Sequence, residues 1–279
     1  MRPFAPGIPV ITELHSLQPL VWYKEVLSQI SYRWSNKIVV LSDAAKKYLN
    51  IEKGLADNKI AIIRNGVDYN NFCASESLQS NLINFGTGPK IGYLGTFYRW
   101  QGIFELLESA EFVLNKIPDA LFIFIGDGPE KESLKKRACE ISEKSIRVLD
   151  QVPPYEVPHY VSALNLFCML RPRSRATELT LPLKILEVGM AKTPLLVSDL
   201  PGLLEAGGKS PQEFFNIQSD LSPHAVADCI VSLLSEVNEP LLARKAQAYY
   251  EYLKQADVTW RKSAEILKDT YWGLLDKQR

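Results

Sequence analysis

Short apolar runs recur along this chain, and most are continuous rather than alternating with polar residues. The runs at 9–13, 37–41, 59–63, 90–94, 120–125, 146–149, 164–168, 194–197 and 214–217 are rich in Val, Ile, Leu and Phe and predict strands. Helical patterns lie between them, as at 102–116, ended by Pro118, and at 129–141. Strands alternating with helices indicate βαβ units, and continuous apolar runs indicate parallel sheet buried on both faces. The class is therefore α/β. The polar segment 75–89, closing on Gly86, Gly88 and Pro89, interrupts the rhythm and is read as a domain boundary. What precedes it is too short for a complete doubly wound domain.

The richest chemistry lies between Arg173 and Glu187. Pro182 suits the first turn of a helix, where a missing N–H costs nothing. The helix then runs through Leu183, Ile185, Leu186, Val188 and Met190, so its first free amides point back at the preceding loop. Those amides and the positive end of the helix dipole favour a phosphate there. Glu187 lies about one turn further in, where a carboxylate can accept vicinal sugar hydroxyls; Glu178 lies in the loop before the helix. A phosphorylated sugar fits two carboxylates beside one anion site. The plainer alternative is a loop of solvated charges with Glu187 on an ordinary helix surface, and this window alone leaves both open.

Two further turns add to it. The run 90–94 enters Gly95-Thr-Phe-Tyr-Arg99-Trp-Gln-Gly102 before a helix, and the run 121–125 ends in Gly126-Asp-Gly-Pro129 before another. Ligands of open α/β sheets bind at the carboxyl ends of the strands. Arg99 can clamp a diphosphate in bidentate fashion, and Gly126 and Gly128 permit close backbone approach. Ordinary connection chemistry explains either turn singly; three such turns at one sheet edge point to a site.

Composition narrows the class without naming a function. The chain has 279 residues, 46% hydrophobic and 23% charged, with formal net charge +0, which fits a globular protein of two domains. Nothing in that balance suggests nucleic acid as a partner. No run reaches the roughly 20 apolar residues of a membrane span. The start, Met-Arg-Pro-Phe-Ala-Pro-Gly, lacks a signal-peptide core, so the expected location is the cytoplasm, with the inner face of the membrane as a variant. Cys73, Cys139, Cys168 and Cys229 are far apart and read as reduced structural thiols, with no metal site.

Taken in order, these segments resemble the retaining, nucleotide-sugar-dependent glycosyltransferases of group 1 (family 4), which have the GT-B fold. Residues 62–68 (IIRNGVD) resemble the family's "ipNGVD" segment. Residues 92–96 (GYLGT) with 100–102 (WQG) resemble its glycine loop, 124–129 (FIGDGP) its "ivGdGp" strand end, and 152–158 (VPPYEVP) its base-binding turn. Residues 177–187 (TELTLPLKILE) are similar to its two-glutamate motif in the "TPLKxLE" variants, and Ser198, Asp199 and Glu205 match the "SD…E" stretch that follows.

The resemblance implies a complete nucleotide-sugar-binding Rossmann-like domain at 86–256, a partial N-terminal, acceptor-side Rossmann-like domain with linker at 1–85, and a helix at 257–279 packing back toward the N-terminal part. That helix carries Trp260, Ala264, Leu267, Tyr271 and Leu274 on one stripe. A helix capping its own domain is the other reading of the stripe. The implied activity is transfer of a hexose-type sugar from a nucleotide-sugar donor to a glycan or lipid-linked acceptor, with retention at the anomeric carbon and without a metal or other cofactor. Glu187 would hold the ribose and Glu178 the donor sugar. Gly95, Thr96, Arg99, Gly126, Asp127, Gly128, Leu183 and Lys184 would line the donor site around the diphosphate, and Val152 would sit near the base. His15 would line the reaction centre; apart from the resemblance, a histidine satisfied at a strand end accounts for it equally.

Three departures stand out. The family's lysine before the glycine of the first loop is Gln101, with Arg99 and Lys184 available to replace its charge. Glu178 and Glu187 are one residue further apart than in the commonest motif. Lys192 occupies a place usually held by glycine, at a cost on the order of 1 kcal/mol if its backbone is left-handed. Relative to the family, roughly the first hundred residues are missing. A sheet cut there exposes an unpaired edge and apolar helix faces. Three accounts follow: a fragment of a longer gene product, a subunit completed by a second chain, or a donor-binding protein without transferase activity. Contact with a membrane periphery belongs with the lipid-linked acceptor.

Overall fold

The computed structural model describes residues 8–15, 17, 22–69, 86–235 and 237–276. Cys73 and most of the proposed boundary segment lie outside them.

The N-terminal part is a small parallel sheet in the order β1 (Ile11–Leu14), β2 (Lys37–Val40), β3 (Ile60–Ile62). Helices α1 (Trp22–Trp34) and α2 (Asp43–Lys53) connect its strands. Ile38, Val40, Ala45, Leu49 and Ile60 form its core. Ser42 starts α2 by accepting from the Ala45 amide, and Gly54 ends it in a left-handed conformation, φ 62°.

The larger part holds six parallel strands in the order β6-β5-β4-β7-β8-β9. They are β4 (Lys90–Leu94), β5 (Leu121–Ile125), β6 (Ile146–Leu149), β7 (Leu166–Met169), β8 (Leu195–Ser198) and β9 (Asn216–Gln218). Helices α3 (Ile103–Lys116), α4 (Lys131–Ser142), α5 (Val157–Ser162), α6 (Arg175–Leu179), α7 (Leu183–Met190), α8 (Pro201–Leu204), α9 (Pro223–Leu233), α10 (Glu239–Gln255) and α11 (Trp260–Leu275) follow in chain order. The central strands are buried on both faces, which is why their sequences are continuous apolar runs. The chain builds outward from β4 to β6, then returns to β7 on the other side of β4. The reversal point, where loops diverge and leave a crevice, lies between β4 and β7. The architecture is α/β and GT-B-like: one complete Rossmann-like sheet and a smaller parallel sheet before it.

Boundaries move by one or two residues where tertiary contacts override apolar character. Asn165 exchanges hydrogen bonds with Lys90, its amide donating to the carbonyl at 2.8 Å and its side-chain oxygen accepting from the Lys90 amide at 2.9 Å. β7 therefore begins after it, at Leu166 rather than 164. Phe214 and Phe215 belong to an aromatic cluster with Tyr249 and Tyr252, and β9 starts at Asn216 rather than 214. Lys192 is left-handed, φ 55°, and its ammonium lies over the Tyr250 ring at 4.5 Å, which offsets part of the strain.

Two corrections concern the segment 173–187. The stretch read as a loop contains α6, closed by a capping box in which Ser174 accepts from the Thr177 amide and Thr177 accepts from the Ser174 amide. Glu178 therefore sits on a short helix, not in a loop. Pro182 is the N-cap, with extended φ −76° and ψ 135°, and the helix proper begins at Leu183.

Several contacts join the parts. The Val67 amide donates to the Val258 carbonyl at 3.0 Å, and Val67 forms a bridge with Thr259. A Cβ on Gly66 would lie 2.1 Å from the Thr259 carbonyl carbon, so only glycine permits this approach. Ser42 donates across the parts to the Leu179 carbonyl at 2.6 Å. α11 touches the N-terminal part through Ser263, whose hydroxyl donates to the Arg64 carbonyl at 2.7 Å. Its outer positions Tyr271 and Trp272 are exposed.

Candidate active site

The glycine turns after β4 and β5 interlock. The Gly95 amide donates to the Ile125 carbonyl at 2.8 Å, and the Phe97 amide to the Asp127 carbonyl at 2.8 Å. A Cβ on Gly126, φ 155°, would lie 1.9 Å from the Gly95 carbonyl oxygen, so only glycine at 126 lets the two loops close. The Asp127 carboxylate accepts from the Gly128 amide at 2.8 Å and faces Lys131 at 3.3 Å; these two contacts, in that order, hold its pKa below the ordinary value.

Above these turns, at the carboxyl edge of the sheet, opens a cavity of about 360 Å³. Gly95, Thr96, Gly126, Asp127, Val152, Lys184 and Glu187 line it, together with the loop Gly66–Val67–Asp68, Gln151 and Trp260. The first turn of α7 enters it: among the described residues the Leu183 and Lys184 amides have no backbone partner. Lys184 and Glu187 are half-buried side chains one turn apart. Burial lowers the Lys184 pKa, opposed by the Glu187 carboxylate and reinforced by the charge of Arg171. Burial likewise raises the Glu187 pKa, and Lys184 pulls it back. The cavity thus offers free amides, a helix N-terminus, an ammonium and a carboxylate, a set suited to a phosphorylated ligand bearing hydroxyls.

Other expected residues lie elsewhere. Leu183 begins α7 beside the cavity. Arg99 is exposed, with its guanidinium 4.9 Å above the Phe104 ring. A Cβ on Gly128 would press on the Phe97 backbone at 2.7 Å, so that residue shapes the turn from below. Glu178 pairs with Arg173, which also donates to the Asp199 carbonyl at 2.8 Å. His15 directly follows β1 and lines a neighbouring cleft of about 190 Å³, shared with Arg64, Asn65, Ala264 and Leu267, and its Nε2 is 3.7 Å from Glu13. Trp260 lines both the cleft and the larger cavity.

Two residues near the floor carried no role in the sequence reading. Arg171 is 2% exposed, stacks 4.8 Å over Trp100 and donates from Nε to the Gln101 side-chain oxygen at 3.1 Å. Tyr93 is buried beneath it, and burial raises the phenol's pKa. An arginine directly after the apolar run 166–170, at the carboxyl edge of the sheet, was the available signal for Arg171.

Among the described residues no cluster of three or more His, Cys, Asp or Glu side chains is arranged to hold a metal, and no helix is long and apolar enough to cross a membrane.

Known proteins resemble this chain in sequence and in fold. The chain is 26% identical over 254 residues to a D-inositol 3-phosphate glycosyltransferase of Corynebacterium urealyticum, an alignment covering 86% of this chain and 57% of that protein. It is 29% identical over 133 residues to a sulfoquinovosyl transferase of Arabidopsis thaliana, covering 46% of this chain and 25% of that one. It therefore spans little more than half the length of the first and a quarter of the second. The crystal structure of Anabaena HepE in complex with UDP and glucose superposes with a TM-score of 0.78 at 14% identity, covering 95% of this chain and 72% of that one, which shows the shared fold. The family model for group 1 glycosyl transferases matches residues 88–236 and that for glycosyltransferase family 4 matches residues 1–71, so this chain belongs to the group 1 glycosyltransferases.

Proposed function

We propose that this chain transfers a hexose-type sugar from a nucleotide-diphosphate donor to a glycan or lipid-linked acceptor, with retention at the anomeric carbon and without a metal. The observation that carries the reading is the meeting of Lys184, Glu187 and the open amides of α7 with two interlocked glycine turns in one cavity. The diphosphate lies against Lys184 and the start of α7. Glu187 accepts from the ribose hydroxyls, Val152 borders the base, and the donor sugar extends toward Glu178. In the transfer step the bond from the anomeric carbon to the phosphate oxygen breaks, the acceptor oxygen bonds to that carbon on the same face, and its proton passes to the departing phosphate. Positive charge fixed beside that phosphate stabilises the developing anion with little reorganisation. His15 contributes from the neighbouring cleft, where Trp260 is the shared wall. A relative whose name gives an inositol phosphate acceptor, and a structural neighbour bound to UDP and glucose, support this substrate class.

Calorimetry with UDP-, GDP- and ADP-sugars tests the donor site. Binding of at least one is expected, and binding of none sinks the assignment. A second reading, a non-catalytic donor-binding subunit that needs a partner chain, is favoured by the exposed apolar stripe of α1, formed by Tyr23, Val26, Leu27, Ile30 and Trp34. It predicts donor binding without turnover by this chain, and Glu178→Ala then leaves binding, assembly and the biological role intact. The transferase reading predicts that the same substitution abolishes transfer.

A further inference from the structure

We propose that Arg171 is the positioning residue that gives this cavity its preference for a diphosphate, a buried guanidinium behind Lys184 that supplies the second positive charge of the floor. The inference rests on the donor-site reading and adds to it a source of specificity at a residue outside the cavity lining.

Arg171 is two residues past the end of β7, beside the reversal point of the sheet. Its neighbours are the Trp100 ring on one face, the Gln101 side chain at Nε, the Tyr93 phenol, and the Lys184 ammonium, close enough to interact electrostatically. Nη1 is buried and has no hydrogen-bond partner among the described residues, and there the Tyr93 phenol, not a carboxylate, is the group that acts electrostatically on the guanidinium. A fully buried charge without a counter-ion costs several kcal/mol, and well-packed apolar residues fill such space at lower cost. Simple packing therefore does not account for an arginine here.

The charge count at the floor gives the reason. Asp68 and Asp127 also line the cavity, but Asp127 is engaged by the Gly128 amide and Lys131; around Lys184 itself the charged groups are Arg171 and Glu187, two cations with one carboxylate, so that corner carries an excess of positive charge. A diphosphate completes it; an uncharged nucleoside does not. Gln101, at the turn entering α3, carries no charge of its own and instead anchors Arg171, so the cation lies beneath the turn rather than on it. Burial depresses the Arg171 pKa only to about 10, which leaves the group charged at neutral pH.

The test compares affinities for UDP, GDP and ADP with those for uridine, guanosine and adenosine, using inorganic pyrophosphate as a base-independent probe. Arg171→Met is expected to lose about tenfold or more in affinity for the preferred diphosphate and for pyrophosphate, with nucleoside binding nearly unchanged. Gln101→Lys in the Arg171→Met background restores most of that loss by returning a cation to the same corner. Equal binding of the diphosphate by wild type and Arg171→Met overturns the proposal. So does an equal loss for diphosphate and nucleoside, the signature of a purely structural role. If the methionine variant does not fold, Arg171→Gln gives the same comparison and is read by the same two criteria. If wild type binds no diphosphate on the panel, the donor-site reading falls and this inference with it; if wild type binds and only the arginine is indifferent, this inference falls alone.

Discussion

The Lys184 side chain rests where a side chain on Gly95 would be: a Cβ built on Gly95 would lie 2.5 Å from the lysine Cε and 2.6 Å from Nζ. The missing methyl at one residue is the seat of the cation at another. Gly95→Ala is therefore expected to act on binding, because the far end of a lysine can swing aside. Nucleoside diphosphate affinity should fall about tenfold, with a stability cost of about 1–3 kcal/mol from backbone strain at φ 150°. Gly126→Ala meets a backbone oxygen instead and should destabilise more than Gly95→Ala. Thermal melts of the two variants check the order, and calorimetry checks the affinity.

Alkaline pH should weaken diphosphate binding sooner than an ordinary lysine would allow. Burial lowers the Lys184 pKa, so the ammonium is lost as pH rises through a value below the usual 10.5. A bound diphosphate stabilises the ammonium, so binding on this limb takes up protons. Lys184→Met should remove the limb and weaken binding about tenfold at neutral pH. Calorimetry in buffers of different ionisation enthalpy reads the proton uptake, and its absence in wild type counts against Lys184.

On the acid side the group is Glu187, whose pKa is raised by burial. Its carboxylate is lost as pH falls through that raised value, and nucleotide affinity should fall with it; Glu187→Gln should flatten the acid limb. For folding the sign is opposite. The folded state holds this proton more tightly than the unfolded chain, so the contribution of Glu187 to stability improves as pH falls through the folded pKa. An affinity profile of wild type that stays flat into acid would exclude Glu187 as the hydroxyl acceptor.

Glu205 joins the two parts of the molecule. Its carboxylate accepts from the Asp43 amide at 2.7 and 2.8 Å, from the Ala44 amide at 3.3 Å, and from Arg64 Nη2 at 2.7 Å. It thus caps α2 from the larger part of the molecule. Glu205→Ala should cost on the order of 1–3 kcal/mol, and Glu205→Gln less, because the amide oxygen still accepts. Denaturant melts give the magnitude, and faster proteolysis between 55 and 69 should accompany the alanine.

Trp260 separates the two cavities while remaining 49% exposed. Trp260→Ala should leave the melting temperature nearly unchanged but join the cavities, lowering transfer more than donor binding. A loss of donor binding as large as the loss of transfer would place its role at the nucleotide instead.

Much of the site was readable in advance because its parts are local. The strand ends and glycine turns at Gly95 and Gly126 come from runs of adjacent residues. The open amides of α7 follow from Pro182 and the apolar spacing after it. α6 escaped notice because five residues carry too little periodicity to reveal a helix, and its capping box uses Thr177 where Glu or Gln is the familiar signal. Arg99 and Arg171 show the other limit. One arginine sits on the glycine turn and extends over Phe104; the other lies 70 residues from Gln101 in sequence and meets it beneath that turn.

From the order of residues alone came the α/β class, the parallel strands, the family and the start of α7 with its open amides. Those depend on apolar periodicity and backbone preference, which neighbouring residues encode. Which cations face the cavity, that Glu178 is held by Arg173 on its own helix, and that Trp260 stands between two cavities emerged only with the folded chain. A side chain's direction is set by packing among distant segments: Arg173 and Glu178 share one short window that does not say they meet, and Arg171 and Gln101 lie 70 residues apart.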